Sequence, residues 1–224
     1  MKKLDSNFRG ITPIYKPSGP TSHTIVNRVR QYTGEKKVGH AGTLDPLAEG
    51  VLVVAIGREF TKKLGVFLKK DKEYLAEIKL GQTSFTDDAE GVIAKPHSKS
   101  DLESIQKEGL PLTKDIYNLL PQFTGEIWQV PPLYSAVKIN GKPAYKSART
   151  GRKVQLEPRK RVVKKIDLLT YSWPICKLRI VTGSGVYIRS IARDLGEELG
   201  FGGYLASLVR TRVGQYTLDE SHHL

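Results

Sequence analysis

Between Gly50 and Gly57 the chain runs Val51-Leu52-Val53-Val54-Ala55-Ile56, apolar at every position. A strand apolar on both faces has to be covered on both faces, so this run predicts a central strand inside a sheet, with other elements packed above and below it. Alternation or β-branched content predicts further strands at 11–15, 74–80, 127–130, 134–138, 162–169, 176–182 and 213–218. Helical spacing predicts a helix after Thr21 or Ser22 with Ile25, Val26, Val29 and Tyr32 on one face and Gly34 as its stop. A second amphipathic helix is expected through Phe60, Leu64, Phe67 and Leu68. The strongest spans about 186–199, with Ile188, Ile191, Ala192, Leu195 and Leu199 in one stripe, and a short helix is expected at 205–209. Residues 36–46 and 82–114 read as loop, the latter with at most one short helix. Asn140-Gly141 signals a tight turn, and His222 and His223 read as a disordered tail. Strands and helices do not alternate strictly. The expectation is therefore α+β: a mixed, mostly antiparallel central sheet with helices packed around it, rather than a doubly wound fold.

Charge narrows the choice of partner. Lysine and arginine total 36 against 23 acids, a net charge of +13. Such a surface gains by displacing counterions from a polyanion. Eight of these cations, Lys142, Lys146, Arg149, Arg152, Lys153, Arg159, Lys160 and Arg161, lie in the poorly hydrophobic stretch 142–161. No basic amphipathic helix with an aromatic apolar face stands out, which argues against a membrane surface. No apolar run is long enough for a transmembrane helix, and Met1-Lys2-Lys3-Leu4-Asp5 has no signal-peptide core. A cytoplasmic protein without a membrane partner is expected. Cys176 is the only cysteine, so neither an internal disulfide nor a cysteine zinc site can form. Its place in the alternating run 176–180 marks it as a small buried hydrophobe.

The segment with chemical potential is Gly39-His40-Ala41-Gly42-Thr43-Leu44-Asp45-Pro46-Leu47-Ala48-Glu49-Gly50. Its glycines permit positive φ and close approach of a ligand. Pro46 pushes Asp45 out of helical geometry. A carboxylate is thus offered from a stiff loop just ahead of the central strand. Taken alone, an aspartate before proline is more often a turn residue than a catalyst.

That segment resembles the catalytic motif of the TruB family of pseudouridine synthases, and further blocks resemble the family in order. They are Tyr15-Lys16-Pro17-Ser18-Gly19-Pro20-Thr21-Ser22; Lys72-Glu73-Tyr74 with Leu80-Gly81 and Thr86-Asp87-Asp88-Ala89-Glu90-Gly91; Gln129 to Lys138 with Gly141, Tyr145, Ala148, Arg149 and Gly151; and Gly185-Val186-Tyr187-Ile188-Arg189-Ser190 with Asp194-Leu195-Gly196. Together they span nearly the whole chain, where any one alone would be a weak signal.

The resemblance implies the pseudouridine synthase fold and isomerisation of uridine to pseudouridine at position 55, in the T-loop of tRNA. The nucleotide must first be turned out of its loop. The implied catalytic residues are Asp45 as nucleophile, Arg189 as its planar partner, and Tyr74 to stack on the base and handle the C5 proton. Addition at C6, attack at C1′ and proton removal at C2′ all begin from the same carboxylate. The resemblance further implies that Tyr187 and Leu208 line the pocket, that His40 fills the space the base leaves, and that Lys16 supports the loop or touches a phosphate. Lys138, Lys142, Lys146, Arg149, Arg152 and Arg210 would meet RNA, with Arg212 the alternative to Arg210. No metal and no cofactor are implied. Unaided, Tyr74 and Leu208 read as core residues and Arg189 as a solvated or phosphate-bound arginine.

The expected organisation is one catalytic domain over 1–224, with an RNA-clamping insertion at about 123–152 in which Trp128, Tyr134 and Tyr145 supply aromatic surface. The chain stops soon after residue 220, so a C-terminal RNA-binding domain found in many family members is expected to be absent. The partner is the T-stem and loop of tRNA, the protein being a monomer with no obligatory protein partner. Two rival readings carry different consequences: a guide-RNA-dependent relative, and an RNA-binding or RNA-folding protein that has lost catalysis.

Overall fold

The computed structural model describes residues 2–94, 109–135, 138–139, 142–143 and 156–224. Its strands, in chain order, are β1 (Lys2–Lys3), β2 (Gly10–Lys16), β3 (Val38–Ala41), β4 (Glu49–Ile56), β5 (Lys72–Leu80), β6 (Thr83–Ser84), β7 (Ile93–Ala94), β8 (Gly125–Gln129), β9 (Lys138–Ile139), β10 (Lys142–Pro143), β11 (Arg159–Ser172), β12 (Ile175–Thr182), β13 (Gly203–Val213), β14 (Tyr216–Thr217) and β15 (His222–His223). The helices are α1 (Ser22–Thr33), α2 (Arg58–Thr61), α3 (Gly65–Leu68), α4 (Thr113–Leu119) and α5 (Ile188–Glu198). The contacts divide the chain into two compact units. The first holds residues 1–75, 180–184 and 208–224; the second holds 76–179 and 185–207.

In the first unit the strand order is β1-β15-β2-β4-β13, with β3 also on β4 and β14 on β13. β4 is buried from Gly50 onward, as its apolar run requires. Leu52, Val54 and Ile56 face one cluster with Leu4, Ile14, Val38 and the α1 residues Ile25, Val26 and Val29. Val51 and Val53 face the other, with Ala41 and Val213. Each of the buried valines, leucines and isoleucines contributes about 1.5–3 kcal/mol relative to exposure. The Thr21 hydroxyl caps α1 by accepting from Thr24 N at 3.1 Å, and Gly34 ends it at φ 67°.

In the second unit the order is β5-β12-β11-β8. β5 buries every other residue, including Tyr74, Ala76, Ile78 and Leu80, and β12 does the same with Cys176, Leu178 and Ile180. Burial pushes the Cys176 thiol up to about 12, as befits an inert core cysteine. α5 buries Ile188, Ile191, Ala192 and Leu195. It can approach the start of β13 closely because Gly196 has no β-carbon; one there would overlap the Gly202–Gly203 peptide.

The sheet is mixed, with parallel pairs β1–β15, β15–β2 and β13–β4 beside antiparallel pairs such as β2–β4 and β11–β8. Several local expectations need correction. The helix expected at 205–209 is part of β13, an eleven-residue strand. A short apolar run does not reveal its period, and here β4 supplies a strand partner through Val209↔Glu49 and Arg210↔Gly50. The start of the loop expected at 36–46 is β3, paired antiparallel with β4 from Val38↔Ile56 to Ala41↔Val53. The helix through Phe60–Leu68 is two single turns, α2 and α3. The C-terminal histidines form β15 between β1 and β2, not a loose tail, and Leu4 N donates to His223 O at 2.9 Å. Strands β9 and β10 pair antiparallel, while the expected Asn140-Gly141 turn between them lies outside the described residues.

Candidate active site

In the first unit, the segment joining β3 to β4 carries Asp45, and three neighbours hold it from separate directions. The Ser22 hydroxyl, at the start of α1, donates to Leu44 O at 3.0 Å and accepts from Leu44 N at 2.9 Å. Both backbone groups of the residue before Asp45 are thereby fixed. Lys16, at the end of β2, is fully buried; its ammonium donates to Pro17 O at 3.0 Å, Pro46 O at 3.1 Å and Ala48 O at 2.5 Å. Three donors meet three carbonyls, which meets the hydrogen-bonding demand of a buried charge. Gly19 N donates to Pro46 O and Ala48 N to Asp45 O, closing the turn.

The third support is Arg210 on β13. It is 1% exposed, and its Nε donates to Val51 O at 2.8 Å and Nη2 to Gly42 O at 3.0 Å. It shares a side-chain hydrogen bond with Tyr74 and attracts the Asp45 carboxylate. Burial pushes the guanidinium down from its usual value, and those two partners oppose the shift. The expectation that Arg210 meets RNA phosphates is therefore corrected. Its donors point inward to the backbone on either side of the Asp45 segment, whereas Arg212 stays partly exposed near Glu73. Tyr74, on the buried face of β5, and Leu208, on β13, are 8% and 6% exposed. His40 lies on β3, half-buried; burial first, then the charges of Arg210 and His23, pushes its imidazole below its ordinary value. Lys16, His40, Asp45, Tyr74 and Arg210 are thus gathered on β2, β3, β5, β13 and the segment they support.

Arg189 and Tyr187 lie in the second unit, at the start of α5. The Tyr187 backbone is held at both ends by Gln129: its N–H donates to Oε1 at 2.8 Å and its carbonyl accepts from Nε2 at 2.9 Å. Gln129 is 1% exposed. Arg189, 4% exposed, donates through Nη1 to Thr86 O at 3.0 Å and through Nη2 to Tyr134 O at 3.0 Å, and Nη1 stands 3.4 Å from Asp88 Oδ2. Asp88 is also buried and accepts from the Thr86 hydroxyl at 2.5 Å and from Glu90 N at 3.1 Å. Sequence reasoning places Ser22, Gln129 and Asp88 within motif blocks but assigns none of them a role at the site. Each acts through a tertiary bond to a distant residue, which local pattern does not encode.

Of the residues expected on RNA, Lys138 and Lys142 lie on β9 and β10, while Lys146, Arg149 and Arg152 are outside the described residues. Among the described residues no group of three or more histidine, cysteine, aspartate or glutamate side chains is placed to hold a metal ion. No described helix is long and apolar enough to cross a membrane.

The chain is similar, over most of its length, to known proteins. The chain superposes with TM-score 0.72 and 30% identity on a chain from the crystal structure of a Cbf5-Nop10-Gar1 complex, covering 96% of this chain and 52% of the other. A chain in an H/ACA RNP bound to a substrate RNA containing 2′-deoxyuridine gives TM-score 0.67 at 28% identity, over 94% and 49%. This chain therefore spans about half the length of those solved chains. Sequence relatives place it among the pseudouridylate synthases. The tRNA pseudouridine synthase B of Thermobifida fusca is 41% identical, over 95% of this chain and 72% of its own length. Its namesakes in Protochlamydia amoebophila and Mycobacterium tuberculosis are 42% and 44% identical, covering 96% of this chain and 78% and 70% of theirs. The model for the N-terminal domain of TruB family pseudouridylate synthases matches residues 30–188, and the chain belongs to that family.

Proposed function

We propose that this protein isomerises uridine to pseudouridine in tRNA, at position 55 of the T-loop, with Asp45 as the nucleophile. The carrying observation is the way Lys16, Ser22 and Arg210 fix the segment around Asp45, so that a carboxylate is presented from immobile backbone. The reaction breaks the N1–C1′ bond and makes a C5–C1′ bond; C5 loses a proton and N1 gains one. It is redox-neutral and balances without a co-substrate.

The uridine is turned out of its loop so that a side chain can reach it. Asp45 attacks as the anion. Tyr74, held by Arg210, stacks on the base and handles the C5 proton; Tyr187 and Leu208 line the pocket. His40 fills the space the base leaves, and its neutral imidazole does so without adding charge. Arg189 pairs with the Asp45 carboxylate during the reaction, its planar fork setting the direction of the oxygen atoms. Lys16 acts through the loop rather than through a phosphate. Lys138, Lys142, Lys146, Arg149 and Arg152 meet the RNA backbone as the arm of one catalytic domain. The protein works as a monomer in the cytoplasm, on tRNA alone.

The higher identity to tRNA pseudouridine synthases B favours this reading over a guide-RNA-dependent one. The test is purified protein with unmodified tRNA transcript and no further component. Pseudouridine at the T-loop position supports the proposal. Product only on addition of a guide RNA, or tight binding without product, overturns it.

A further inference from the structure

α5 carries a second, partly buried arginine one turn beyond Arg189. Residues four apart share a helix face, and Arg193 uses that position to reach the same two backbone segments that Arg189 holds. Its Nη1 donates to Asp87 Oδ2 at 2.9 Å and its Nη2 to Val130 O at 3.0 Å, while Nε donates to Asp194 Oδ1 at 2.8 Å. Arg189 holds the first segment at Thr86 and Asp88, and the second at Tyr134. Asp87 and Asp88 are thus gripped by consecutive turns of one helix. Ser190, between the arginines, adds a bond from its hydroxyl to Val130 O at 2.8 Å.

Asp87 also departs from ordinary backbone geometry. It has φ 62°, the only positive value at a non-glycine position among the described residues. A non-glycine residue in that region is strained and persists when its surroundings hold it there. The neighbouring backbone does part of this: Leu205 N donates to Asp87 O and Ala89 N to Leu205 O, both at 3.0 Å. The Arg193–Asp87 pair is the side-chain part, with side chains only 20% and 14% exposed. Charge-assisted bonds at such burial are stronger than surface pairs. Surface pairing would not explain the aim of Arg193, which spends one nitrogen on Asp87 and another on Val130.

We infer that Arg193 is a positioning residue for the isomerisation: by fixing Asp87 and Val130 it holds the Thr86–Asp88 and Val130–Tyr134 segments where their carbonyls and the Asp88 carboxylate orient Arg189. Arg193 itself touches no reacting atom. Without it, Arg189 keeps its charge and its helix but loses the fixed bearings of Thr86 O and Tyr134 O. This inference rests on the proposed role of Arg189. The activity itself is tested on the unaltered protein and the role of Arg189 by the single-turnover rate of Arg189→Lys, so the readings can fail separately.

The test uses the full chain and unmodified tRNA transcript, measuring single-turnover rate and tRNA affinity separately for Arg193→Gln and Asp87→Gly. The glycine variant is the discriminating one. It removes the carboxylate but adopts φ 62° without strain, so the loop fold is kept while the Arg193 grip is lost. The expected result is a rate at least tenfold lower in both, affinity within about threefold, and a melting temperature for Asp87→Gly close to that of the parent. In the double variant the rate falls no further than in Arg193→Gln alone, because that change already removes the Asp87 contact along with the one to Val130. Arg193→Lys, which keeps the charge but cannot span Asp87 and Val130 together, recovers only part of the rate. A rate within threefold of the parent in folded Asp87→Gly overturns the inference. So does a loss confined to affinity. Should Arg193→Gln fail to fold, Asp87→Gly alone decides.

Discussion

Gly50 lies directly against the backbone of Arg210. A β-carbon at Gly50 would overlap the Arg210 carbonyl oxygen and stand 2.9 Å from its nitrogen, and Gly50 has φ 107°. The pair is in register in the parallel β4–β13 ladder, and from there the Arg210 side chain turns back to Val51 O and Gly42 O. Gly50→Ala is expected to destabilise the protein by at least about 1–3 kcal/mol, the cost of forcing atoms into a filled site, with backbone strain in addition. Urea unfolding measures it; parent-like stability would contradict the close approach.

Lys16→Met would remove three donors and leave the carbonyls of Pro17, Pro46 and Ala48 facing an apolar chain. A loss on the order of 3 kcal/mol is expected, together with a reduced single-turnover rate, since the Asp45 segment loses its anchor. Lys16→Arg should restore little, because a planar fork does not match three carbonyls converging on one ammonium. Full activity in either variant would contradict the anchoring role.

Arg210 distinguishes an internal support from a phosphate ligand. Arg210→Gln, which removes the charge, is expected to lower the single-turnover rate tenfold or more, with tRNA affinity and its salt dependence unchanged. A surface phosphate contact would instead weaken binding and reduce the slope of log affinity against log salt by roughly 0.7 to 0.9. Titrating affinity against salt for the parent and variant separates the two.

His40 gives the protein a pH dependence with a defined sign. Burial, then Arg210 and His23, lowers its folded-state affinity for a proton. The unfolded chain has no such restraint and binds that proton below about pH 6.5, the ordinary histidine value. Stability therefore falls as pH drops through that value, because the unfolded state takes up a proton the folded state refuses. His40→Gln should flatten this part of the stability profile between roughly pH 7 and 5. An unchanged profile in chemical denaturation would assign the slope to other groups.

The sequence made the apolar skeleton legible. The unbroken run ahead of Gly57 predicts a covered strand and the stripe from Ile188 to Leu195 one helix face, and both form as expected. The chemistry-bearing segment was legible as residue types: glycines, a proline and an aspartate. What holds it was not. The bond from Ser22 to Leu44 and those from Lys16 to Pro46 and Ala48 join residues more than twenty positions apart, and nothing local at either end signals the other. Arg210 was misread for the same reason. The family resemblance implies an RNA contact there, and only the β4–β13 pairing and the burial of the side chain show that it turns inward. The residues around 205–209 were misread as a helix because five residues are too few to show a period.

The most direct measurement is the conversion of bound tRNA by Asp45→Asn, with affinity and pseudouridine formation followed in the same sample. An amide keeps the shape of the side chain but is no nucleophile, and one lost charge is small beside many phosphate contacts. The account predicts tRNA affinity within about tenfold of the parent and no detectable pseudouridine after prolonged incubation. Pseudouridine forming at the parental rate would show that another group does the chemistry.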